Sequence, residues 1–109
     1  MGYMRHHSIA ISSFDKTTIE EAHRVAGGIF FENQVTEILK TSINRDFFFF
    51  VGPDGSKEFW NTSDTGDVMR KEFLNHLKKF EYSDGSSPLR YCEFSWAEDC
   101  GKCEILSHN

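Results

Sequence analysis

Proline is scarce in this sequence, with two residues, and cysteine nearly so, with three. No apolar run approaches the roughly 20 residues that a membrane-spanning helix needs. The opening residues Met1-Gly2-Tyr3-Met4-Arg5-His6-His7 hold no signal-peptide core, so the chain is expected to stay in the cytoplasm of the cell that makes it. An odd number of cysteines in such a chain argues against a disulfide framework. Basic residues are also in the minority. Twelve lysines and arginines face seventeen acids, for a formal charge of −5. Domains that bind by neutralising phosphates are usually basic, so direct nucleic-acid binding is not expected, whereas docking on a basic partner is compatible with this balance.

Catalytic motifs are missing as well. There is no GxxxxGK[ST] phosphate loop, and Gly52, Gly55 and Gly66 do not stand in for one. Asp54, Asp64 and Asp67 do not have EF-hand spacing, and Ser8, Ser12 and Ser13 lack the glycines of a nucleophile elbow. His6-His7-Ser8 is an imperfect match to one half of a two-histidine phosphoesterase pattern, and the second half of the chain holds no match. Cys100-Gly101-Lys102-Cys103, with Cys92 and His108 in reach, is half of a zinc site without its other half. The expectation is a protein that is not an enzyme and holds no metal or cofactor.

What is present is phenylalanine, eleven in 109 residues, four of them consecutive at Phe47-Phe48-Phe49-Phe50. The run is too short and too uniform for an amphipathic helix, and Pro53-Asp54-Gly55 after it is a turn signal. On a strand, Phe47, Phe49 and Val51 face one way and Phe48 and Phe50 the other. A strand apolar on both faces belongs inside a sheet, with something covering each side.

Around it the pattern predicts further elements. Arg5 to Ser12 alternates as a half-buried strand. A helix follows, capped by Thr17 with Glu20 or by Asp15, burying Ile19, Ala22, Val25, Ala26 and Ile29 and ending near Phe30. Val35 to Ser42 reads as a second strand, and Asn44-Arg45-Asp46 as a hairpin turn into the phenylalanines. A polar connection from Ser56 to Asp67 leads to a second helix entered at Asp64, with Val68, Met69, Phe73, Leu77 and Phe80 buried and Arg70, Lys71, Lys78 and Lys79 solvated. Leu89 to Trp96 is a fourth strand, and Cys103 to Leu106 a short edge strand before a frayed tail. The order is that of a ferredoxin-like α+β sandwich in one domain, 1–109: βαββαβ plus a terminal strand, an antiparallel sheet with two helices on one face.

Three pieces together carry a resemblance: Gly2-Tyr3-Met4-Arg5-His6-His7, then Asp54-Gly55-Ser56-Lys57-Glu58 with Trp60, then Ser63-Asp64 with Gly66-Asp67 and Arg70. With Asp84-Gly85-Ser86-Ser87 the chain resembles small proteins encoded in bacteriophages and prophages. The resemblance implies a phage accessory protein and carries over no catalytic residue. The expected function is non-enzymatic inhibition of a host defence component, as anti-CRISPR proteins do, through a host protein or protein–nucleic acid complex. Phe48, Phe50, Lys57, Trp60, Asp64 and Asp67 are the candidate contact residues, and homodimerisation through the bare sheet face is the simplest cover. Two other readings stand beside it. One is a sponge for a nucleotide signal using Arg5, His6, Lys57, Trp60 and Arg70, and the other a small enzyme with His6 or His7 as base.

Overall fold

The phenylalanine run is strand β3 (Phe47–Val51), and it is interior to the sheet. The computed structural model describes residues 5–52, 61–97 and 103–109. These hold β1 (Arg5–Ser13), α1 (Lys16–Ile29), a 3₁₀ turn (Glu32–Gln34), β2 (Leu39–Lys40), β3, α2 (Asn61–Lys78), β4 (Leu89–Ala97) and β5 (Cys103–His108). The strands form an antiparallel sheet of five in the order β2-β3-β1-β4-β5.

The register decides what each face contains. Ile9 pairs with Val51 and Ile11 with Phe49 on one side of β1, and Ile9 with Glu93 and Ile11 with Tyr91 on the other. These side chains share one face, and both helices lie on it. Ile19, Ala22 and Ala26 of α1 and Phe73, Leu74 and Leu77 of α2 close over Ile9, Ile11, Phe49, Val51, Leu89 and Tyr91. Phe30, just past the end of α1, meets Phe73 edge to face at 5.5 Å between centroids and joins the two helices. This is an α+β sandwich of two layers. Alternation along each strand then sends His6, Ser8, Ala10, Ser12, Phe48, Phe50, Arg90, Cys92, Phe94 and Trp96 to the face away from the helices.

Several boundaries differ from the sequence expectation. Helix α1 begins at Lys16 with Asp15, the second of the two expected caps, in the N-cap position, and the Thr17–Glu20 box does not form. The Asp15 carboxylate is occupied by the Thr18 hydroxyl, which donates to it at 2.6 Å. Helix α2 begins at Asn61, so Asp64 lies in its first turn rather than at its cap, and the polar connection is shorter than expected. Val68 is 66% exposed, and Leu74, which the sequence reading passed over, is buried.

The second strand shrinks to Leu39–Lys40 plus an isolated bridge from Val35 to Val51. From Val35 to Leu39 this edge spends one residue more than its partner does from Val51 to Phe48. Thr36 sits at the irregularity: its N–H donates to the Phe50 carbonyl, and its own hydroxyl oxygen accepts the Phe50 N–H. A side chain that completes the ladder itself breaks the strand's regular pairing. The chain end is not a frayed tail. β5 continues to His108, and the Asn109 side chain accepts the Tyr91 N–H and donates to the Leu89 carbonyl, both at 2.9 Å. The Pro53-Asp54-Gly55 turn lies outside the described residues.

Adjacent phenylalanines of β3 should therefore respond differently to truncation. Phe49 is fully buried, and Phe49→Ala should remove about 3–5 kcal/mol of unfolding free energy. Phe50 is 40% exposed, and Phe50→Ala should remove about 1 kcal/mol or less, with both values read from urea unfolding curves.

Candidate functional site

The sheet face opposite the helices carries aromatic side chains in two groups. On β3, Phe48 and Phe50 touch edge to face at 5.8 Å. On β4, Phe94 stacks on Trp96 at 5.8 Å with ring planes 20° apart, and His6 of β1 lies over Trp96 at 5.2 Å. Between the groups runs β1, which after His6 presents Ser8, Ala10 and Ser12 on this face. The register makes the arrangement diagonal. Phe50 is level with Ala10 and Cys92, whereas Phe94 is level with Ser8 and Ile105. A shallow groove of about 420 Å³ lies at the Phe48–Phe50 end, bounded by Ser12, Asp46, Phe48, Phe50, Arg90 and Cys92. Leu39, 48% exposed, and Ile105, 67% exposed, extend the apolar surface towards the two sheet edges.

A second polar cluster lies on the helix side. Arg70 was expected to be solvated, but its residue is 5% exposed. Its Nε donates to the Glu93 carboxylate at 3.2 Å, and an Nη donates to Asp67 one turn earlier on α2. A charged group can be buried when it is paired in this way. His7 and Ser95, opposite one another on β1 and β4, are both buried on this face. With Lys71 and Leu106, His7 borders a cleft of about 330 Å³ beside α2. Burial raises Glu93 above the ordinary 4.5, the charge and hydrogen bond of Arg70 oppose the rise, and the charge of Asp67 adds to it.

The residues singled out from the sequence do not gather in one place. Phe48 and Phe50 are on the open face, while Asp67 borders the cleft under α2 and Asp64 lies in the first turn of that helix. Lys57 and Trp60 lie outside the described residues. His6 and Arg70, paired in the nucleotide reading, sit on opposite sides of the sheet. Arg5 opens β1, with its side chain outside what is described. Cys92 is opposite His108 and Cys103 opposite Trp96, and Cys100 lies outside the described residues. Among the described residues no group of three or more histidines, cysteines and acids is placed to hold a metal ion.

The sequence reading missed the group formed by His6, Phe94 and Trp96. Alternation does put Phe94 and Trp96 on one side of their strand. Only the pairing of β4 with β1 reveals that this side is shared with Phe48 and Phe50. No family model, curated protein or solved structure matches the chain.

The Glu93 shift has a direction that stability measurements can read. The folded carboxyl holds its proton more tightly than the unfolded one, so its contribution to stability is complete below about pH 4.5 and is lost as pH rises through the folded value. In Glu93→Gln that dependence disappears, so the Tm of the wild type minus that of the variant should be larger at pH 4.5 than at pH 7. Arg70→Met removes the opposing cation and should extend the loss to higher pH. Differential scanning fluorimetry across this range checks both.

Proposed function

We propose that this chain is a non-enzymatic binding protein of ferredoxin-like architecture, and that its open sheet face is the surface that docks. The architecture rests on the strand order β2-β3-β1-β4 combined with the sequence order βαββαβ, β5 being an addition at the β4 edge. The function rests on one observation. An interior strand turns Phe50 outward at 40% exposure, in contact with Phe48, on a face that neither helix covers. Burying a phenylalanine fully is worth roughly 1.5–3 kcal/mol, so covering what remains exposed of this pair offers a partner about 1–2 kcal/mol. The resemblance to phage and prophage proteins suggests a host defence component as the target, with the inhibitor acting in the host cytoplasm.

A second copy of the chain is the other cover for the same face. A two-fold contact needs the same patch on both subunits, and a sheet face meets that condition without further residues.

Phe48→Glu tests the surface. A carboxylate there should abolish retention of the partner when the tagged protein is passed over lysate of its natural host, while circular dichroism stays that of the wild type. Light scattering at micromolar concentration separates the covers, because a dimer that Phe48→Glu makes monomeric assigns the face to a second copy. Unchanged retention together with an unchanged monomer would remove the open face from the function.

A further inference from the structure

From the make-up of the open face, we infer that its occupant is single-stranded nucleic acid, with bases stacked on the aromatic groups of β3 and β4. This rests on the reading of that face as the binding surface and specifies what it binds.

The side chains are of the kind that stacking needs. Some two-layer domains with a four-stranded sheet recognise single-stranded RNA by stacking two or three bases on aromatic rings of the sheet face. Here Phe48 and Phe50, two residues apart on an interior strand, provide one platform, and Phe94 with Trp96 provides the other. From Phe50 to Phe94 is two strand spacings across and the equivalent of two residues along, which is about 12 Å. Between the platforms lie only short side chains, Ser8, which is buried, and Ala10 and Ser12, which are half-buried.

The chain's charge of −5 is the obvious objection, and the placement of charge among the described residues answers it in part. No strand position that faces away from the helices in the described residues is a carboxylate, whereas Arg90, His6 and His108 are on that face. Asp46 borders the groove. Glu20, Glu21 and Glu72 are exposed on the helices, beyond the sheet and the core. A helix is about 10–12 Å across, and the screening length is about 8 Å at physiological salt, so these acids are largely screened from the open face. With one arginine and two histidines on this face, stacking supplies most of the affinity and phosphate contacts little of it.

The test is fluorescence anisotropy with labelled mixed-sequence eight-nucleotide RNA and, separately, DNA, using the full chain. Saturable binding should weaken by about fivefold to a hundredfold in Phe50→Ala and again in Trp96→Ala. Raising salt from 50 to 200 mM should weaken it only about sevenfold, as expected for roughly two phosphate contacts. Arg90→Glu changes an exposed side chain and should weaken binding without touching the packing. Bound oligonucleotide should also slow alkylation of Cys92, followed by peptide mass spectrometry. The RNA and DNA arms identify which strand is the ligand.

Absence of binding to both strands at low salt would overturn the inference, as would binding that survives all three variants with Cys92 unprotected. A dimer that binds neither strand would overturn it and give the face to a second copy. Failure with oligonucleotides while Phe48→Glu still releases a host protein would overturn the nucleic-acid inference alone.

Discussion

Strand β3 is apolar on both faces, and the helices of the described chain cover only one of them. Most of the architecture follows from how that strand is held. Its inward side chains, Phe49 and Val51, are fully buried against Ile9, Ile11 and both helices. Its outward side chains share the same backbone and cannot be withdrawn, because a slip of one residue would put Phe48 and Phe50 into the core and Phe49 outside. The register is pinned on both flanks, by β1 over the whole strand and by Leu39 and Lys40 of β2. The aromatic surface is therefore a fixed consequence of the core, and it comes on a rigid support.

The helix layer is anchored separately from that surface. Arg70 ties α2 to Glu93 on β4 from the helix side, and the Phe30–Phe73 contact ties α1 to α2. Neither uses a residue of the open face. Changes to the open face should leave these ties intact, which suits a surface free to vary with its partner. The same ties place a raised carboxyl and its arginine at the mouth of a cleft beside Lys71, so that cluster reads as the fastening of a helix to a sheet.

Much of this was legible in the sequence wherever the signal was local. Two-residue alternation separated Phe49 from Phe50, and helical spacing found Ile19, Ala22, Ala26, Phe73 and Leu77. Non-local effects were not legible. Arg70 looked solvated because its partner Glu93 is 23 residues away. Val35 to Ser42 looked like a strand because nothing in its composition shows that the Thr36 hydroxyl takes the Phe50 N–H. The end of the chain looked loose because pairing of the Asn109 amide with β4 depends on β5 arriving in register. The aromatic group of His6, Phe94 and Trp96 belongs to this class too, since His6 on β1 is brought to Phe94 and Trp96 only by the pairing of β1 with β4.

The central strand bears on which occupant suits the face. Where a sheet is covered on both sides by packed protein, its inner strands are apolar on both faces. β1 has that character on the core side, with Ile9 and Ile11, but on the other side it carries Ser8, Ala10 and Ser12. The Ser8 hydroxyl donates to the Val51 carbonyl, which satisfies it within the sheet. Two copies packed face to face would place this hydroxyl-lined strip at the centre of their contact, where permanent interfaces are most apolar. A ligand of flat rings joined by a polar, hydrated backbone makes the opposite demand. It wants aromatic platforms apart from one another with only short side chains between them, and the diagonal of Phe50, Ala10, Ser8 and Phe94 provides that order.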